Sequence, residues 1–144
     1  YWKRASPPPS MMTFDAPSRE FCVARRTPTN TPLQALVLWN DPQFVEAARE
    51  TAARVLQHEG DDQSRLTDLY RRCTGSPPST AIATAMEHAL AGWRDRYGEA
   101  PEDAEALVNL GETPTPADIT SDELAAWTML ASAVLSSDAA IVKD

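Results

Sequence analysis

The residues best suited to chemistry crowd into one short stretch ahead of the first regular helical pattern: Asp15, Arg19, Glu20, Cys22, Arg25, Arg26 and Asn30. Two carboxylates flanked by guanidiniums can do acid–base work or clamp an anion, because an arginine fork matches the planar oxygens of a carboxylate or sulfate. The same residues also suit an internal ion-pair network that pins an irregular segment to its neighbours, and this reading carries the greater weight. Cys22 is the thiol with basic neighbours, and Arg25 or Arg26 would favour its nucleophilic thiolate. No histidine stands near it in sequence, so a buried, inert or disulfide-linked thiol is the simpler expectation.

Other residue types narrow the options. Tyr1, Trp2, Phe14, Phe21 and Trp39 offer flat faces that suit sugar rings, although core packing is the commoner use of such large side chains. His58 is placed as a dipole partner near a helix C-terminus, and His88 falls on a polar helix face. Cys22 and Cys73, with only these two histidines beside them, are too few and too scattered for a structural zinc or a covalently attached haem. They form one disulfide in an oxidising compartment or two separate small hydrophobes. No glycine precedes Gly60, so a glycine-rich phosphate loop of the Walker or Rossmann kind is excluded. No metal and no cofactor is expected in this chain.

Residues 1–31 read as a basic, proline-rich arm and residues 32–144 as an acidic helical body of the same domain. The arm carries Lys3, Arg4, Arg19, Arg25 and Arg26 against Asp15 and Glu20, and Pro7-Pro8-Pro9 should run as polyproline II. Order begins at Thr31-Pro32-Leu33-Gln34, which spells a capping box with proline at the first helical position. Asn40-Asp41-Pro42 ends that helix and caps the next, whose stripe is Phe44, Val45, Ala48, Ala52, Val55 and Leu56, with Glu50 and Arg54 as an outer pair. A third helix from about Gln63 carries Leu66, Leu69, Tyr70 and Cys73 and stops at Gly75. The fourth, from Ser79 to Tyr97, places Ile82, Met86, Ala89, Leu90, Trp93 and Tyr97 on one face and stops at Gly98. The stretch from Glu102 to Leu110 reads as a short peripheral helix. The last helix opens with the box Thr120-x-x-Glu123 and is apolar on nearly every side through Leu124, Trp127, Ala131, Val134 and Leu135, which makes it the central one. No run alternates with period two, so the fold class is all-α: an irregular proline-rich arm packed on a bundle of about five to six helices.

The bulk numbers agree with a water-soluble domain. The chain has 144 residues with 42% hydrophobic and 24% charged content, enough to bury one core. No apolar run approaches the roughly 20 residues of a membrane span. Net charge is −8, and the acidic body would repel nucleic-acid phosphates and anionic lipid headgroups. Tyr1-Trp2-Lys3-Arg4 lacks the apolar centre of a signal peptide and reads as an internal start.

The stretch from Pro7 to Glu20, then Cys22, Arg25-Arg26, Thr29-Asn30-Thr31-Pro32-Leu33-Gln34-Ala35-Leu36 and Asn40-Asp41-Pro42, resembles a known signature. It is similar to the C-terminal PSD-type domain of unknown function of planctomycete proteins. Thr74-Gly75 followed by Pro77-Pro78, Gly111-Glu112, and Glu123-Leu124-Ala125-Ala126-Trp127 continue the likeness across the whole chain. Trp39, Pro28 and Cys73 depart from it. In that family the domain closes a large exported polypeptide, often one with a cytochrome-c-like domain. The resemblance therefore implies a location outside the cytoplasm, with upstream domains of the same polypeptide, polysaccharide or another surface protein as partners. It implies no mechanism, and no haem motif is present in these residues. The leading expectation is an accessory or interaction domain without a self-contained catalytic site. The alternatives are part of an enzyme acting on polysaccharide, with Asp15, Arg19, Glu20 and Arg25 lining a site completed by upstream residues, and a purely structural terminal cap.

Overall fold

The structure is a computed structural model, and it describes residues 12–16, 29 and 31–142. Among these residues the architecture is all-α, with seven helices and no strand. The first, α1, runs Pro32–Asn40 and begins with the expected capping box: the Thr31 hydroxyl accepts from the Gln34 N–H, and the Gln34 side chain accepts from the Thr31 N–H. Asp41 then serves two helices. Its own N–H closes α1 on the Val37 carbonyl, while its carboxylate accepts from the Gln43 N–H and caps α2, Pro42–Leu56. The corner needs no loop because Pro42 forces the preceding residue out of the helical region.

α3 spans Asp62–Thr74 behind an Asp61 cap and ends at Gly75, whose φ of 83° lets the chain reverse without a Cβ penalty. α4 spans Thr80–Glu99 behind a Ser79 cap, α5 Pro101–Val108, α6 Ser121–Leu135, and a single turn, α7, Asp138–Ile141, follows. α6 is the central helix. It buries Leu124, Ala125, Ala126, Trp127, Thr128, Leu130, Ala131, Ser132 and Val134, and it packs against α1, α2, α3, α4 and α5. Ala48, Ala52 and Ala53 of α2 let that helix approach closely, and the buried Thr128 hydroxyl satisfies itself on the Leu124 carbonyl at 2.7 Å.

Five local expectations change. Gly98 does not stop α4, which continues through Glu99; Pro101 ends it by restricting Ala100. Burial on α4 begins only at Met86, so Ile82 is exposed, the twenty-residue helix being longer than the fifteen-residue α6 that covers it; Ala89, between the buried Met86 and Leu90, is exposed on the outer side of the helix. α5 is not peripheral, since Ala104 and Val108 are fully buried and the helix packs on α6. The Thr120 box does not form: the Thr120 hydroxyl turns to the Asp122 carboxylate, and the Glu123 carboxylate that would complete the box is drawn away to Arg94 and Trp127. Glu50 turns to its neighbour Arg49 at 3.2 Å instead of Arg54. The polyproline expectation for Pro7-Pro8-Pro9 lies outside the described residues.

Candidate functional site

Asp15 is the member of the predicted polar cluster that the structure describes. Arg19, Glu20, Cys22, Arg25, Arg26 and Asn30 lie outside the described residues, as do Tyr1, Trp2 and Phe21. Asp15 sits at a φ of 56°, a left-handed conformation that aspartate tolerates better than most residues. Its Oδ2 accepts from the Thr29 N–H at 2.8 Å, and the Thr29 hydroxyl reaches both carboxylate oxygens, at 3.0 and 2.8 Å. Gln34, 1% exposed, completes the knot: its Nε2 donates to the Thr13 carbonyl at 2.9 Å and lies 3.1 Å from the Thr29 hydroxyl and 3.4 Å from Asp15 Oδ2. The Phe14 ring packs on Phe44 of α2, 5.5 Å between centroids. Thus the two described pieces of the leader meet at the first turn of α1, held by one buried amide whose other end is the capping box.

Among the described residues the donors that reach this carboxylate are Thr29 and Gln34, both neutral, and its oxygens serve as a structural acceptor for them. That is the ordinary work of a side-chain network anchored on one buried amide. Gln34 was read from the sequence only as a capping residue. Its deeper role was marked by its position, since a glutamine on the inward side of a helix must place both amide donors.

A second polar centre was not foreseen. Arg49 on α2 is 1% exposed and reaches across the fold to the loop after α5, donating to the carbonyls of Val108 at 2.6 Å, Leu110 at 3.1 Å and Thr113 at 2.7 Å. Its Nε is without an acceptor among the described residues. Glu46 and Glu50 flank it at 3.7 and 3.2 Å. Glu46 Oε1 also accepts from the Glu112 and Thr113 N–H groups, at 3.0 and 2.6 Å. Hydrogen bonds from Thr113, hydroxyl and backbone, hold its carboxyl below the usual 4.5, with smaller help from the Glu112 N–H and the Arg49 charge. The open pocket beside it is lined by Asp41, Pro42, Gln43, Glu46, Gly111 and Glu112. One signal could have found Arg49: it lies four positions from both Val45 and Ala53, on the buried sector of α2.

A third network joins three helices. Arg94 of α4 forks onto both oxygens of Glu123 of α6 and also contacts Asp62 of α3, while Trp127 Nε1 donates to Glu123 at 2.9 Å. Hydrogen bonds to Arg94 hold the Asp62 carboxyl below its usual 3.8. Cys73 carries a free thiol, and burial pushes it up to about 11. His58 and His88 are exposed, and the His58 carbonyl accepts from Arg65 Nε at 3.2 Å. Trp39 is half-buried. Among the described residues no three histidine, cysteine or acidic side chains converge as a metal site, and no helix is long and apolar enough to cross a membrane.

With this geometry in place, the family model of PSD1, a protein family of unknown function (DUF1553), matches residues 1–90. The chain belongs to the PSD1 family. The matched residues hold the leader, α1 to α3 and the first half of α4, and therefore both Asp15 and Arg49. The PSD1 match stops short of α5 and α6, so Arg49 and Arg94 tie helices inside or at the edge of the matched segment to ones beyond it. No curated protein and no solved structure matches the chain.

Proposed function

We propose that this PSD1 chain is an accessory or interaction domain of a modular protein acting outside the cytoplasm, in which the polar leader serves attachment and not catalysis. The observation that supports it is the occupation of Asp15: its oxygens meet Thr29 and the buried Gln34, so the carboxylate nearest to a catalytic reading holds two stretches of the leader on α1. A general acid or base needs a carboxylate that faces a substrate space with its proton free to move, whereas the Asp15 oxygens accept from the Thr29 N–H and hydroxyl. Upstream domains of the same polypeptide and a surface polysaccharide or protein are the partners this reading calls for.

The test is a glycan screen on the full-length protein, with Asp15→Ala and Arg19→Ala as controls. Under the attachment reading Asp15→Ala lowers the thermal midpoint and exposes the leader to protease, with glycan turnover unaffected beyond that loss of fold. An Asp15→Ala protein that keeps its midpoint yet loses a glycan-cleaving activity would overturn the proposal.

A further inference from the structure

A second cleft, of about 360 Å³, opens between α2, α3 and the end of α6, lined by Thr51, Arg54, Arg72, Cys73 and Leu135. Its chemistry is independent of the Asp15 attachment. Arg54 forms no ion pair among the described residues. Arg72 commits its Nε to Asp68 at 2.7 Å, while its terminal nitrogens make no hydrogen bond among the described residues. Both arginines sit in the last turn of their helices, where the macrodipole favours a cation, so the charges are in place without a ligand. The Thr51 hydroxyl already donates to the Ala47 carbonyl and can only accept, so an anion entering here finds its donors on the arginines alone. Leu135 and the protonated Cys73 thiol contribute apolar surface between these groups.

We propose that this cleft binds a small oxyanion on an apolar, ring-sized body, a carboxylate or a sulfate-type group whose oxygens meet Arg54 and Arg72 while the body lies on Leu135 and Cys73. The volume is at the low end of small-molecule sites, which suits one ring and not a polymer chain. In a protein of net charge −8 the attraction is local, and added salt screens it.

Titration of the isotope-labelled chain with benzenesulfonate, benzoate and neutral benzenesulfonamide, followed by amide and arginine side-chain resonances, tests this. Saturable shifts at Thr51, Arg54, Arg72 and Cys73 are expected for the anions alone, and the two anions distinguish sulfate-type from carboxylate preference. Arg54→Gln or Arg72→Gln should weaken binding about two- to fivefold each, as for exposed ion pairs, while Arg71→Gln, one position away and outside the cleft, leaves it unchanged. The anion should also slow alkylation of Cys73, read on its own tryptic peptide apart from that of Cys22. Equal shifts with the sulfonamide, or shifts spread evenly over Arg65, Arg71 and Arg96, would overturn the proposal, as would no shift at all at millimolar ligand.

Discussion

Moving the Arg49 guanidinium from water into the core strips its hydration, and three backbone carbonyls with two carboxylates replace it. Those carbonyls belong to the end of α5 and its following loop, which would otherwise leave them buried or poorly solvated. Arg49→Met therefore removes the partner of several acceptors at once and should cost about 3 kcal/mol or more in urea unfolding. Gly111→Ala tests the other side of the same contact: at a φ of 100° an added methyl would strain the backbone and collide with the Glu46 carboxylate, so a loss of about 1–3 kcal/mol is expected. Glu46 and Asp62 contribute to the response to acid, with Asp61 and Asp122 shifted in the same direction. Their folded values lie below the ordinary 4.5 and 3.8, so their stabilisation is complete above those values and drains away as pH falls through the lower folded ones. Urea midpoints should thus stay level down to about pH 5 and drop below it, with a shallower drop in Glu46→Gln. None of the Arg49 chemistry was foreseen, because spacing shows which side of α2 faces inward but not which distant loop supplies the acceptors. Asp15 was legible as a polar residue of the leader; that Thr29 and a buried glutamine nineteen positions on would donate to it was not, because both lie far along the sequence.

At the scale of elements, the helix starts were the most legible features, since each rests on a local rule. Thr31, Asp41, Asp61 and Ser79 all cap as their residue types dictate. The Thr120 box fails on both sides: its hydroxyl goes to Asp122, and Glu123 goes to a bidentate guanidinium and an indole N–H. Two glycines show how a local rule can mislead. Gly75 is a true stop at positive φ, so Gly75→Ala should lose about 1 kcal/mol. Gly98 lies inside a helix with nothing within 4 Å of an added Cβ, so Gly98→Ala should gain about 0.5–1 kcal/mol by restricting the unfolded chain. Thermal or chemical unfolding of the pair, measured side by side, checks both signs. The proline after Ala100, and not the glycine before Glu99, is what the sequence uses to turn α4 into α5.

For the whole molecule, the all-α class and the central place of α6 followed from patterning alone, because a helix apolar on every side has nowhere to go but the middle. The burial of α5 did not, since its apolar residues are few and its partners lie on α6. Trp127, fully buried, is the largest side chain in that middle, and Trp127→Ala should cost about 3–5 kcal/mol and free Glu123 from its indole donor. A chain cut after Ile119 should show weak helical circular dichroism and bind a hydrophobic dye, because the surfaces that α6 covers on α2, α4 and α5 would face water. A stable, dye-silent fragment would show that those helices have another core.

The piece that completes the interior is thus translated after the helices it covers. As the polypeptide leaves the ribosome, α2 to α5 emerge with their sticky sides bare and must wait for Leu124, Trp127 and Leu130 before they can close. A chain stalled or cut before α6 exposes its whole inner lining at once, which makes the synthesis of α6 the point where quality control sees this domain as finished or discards it.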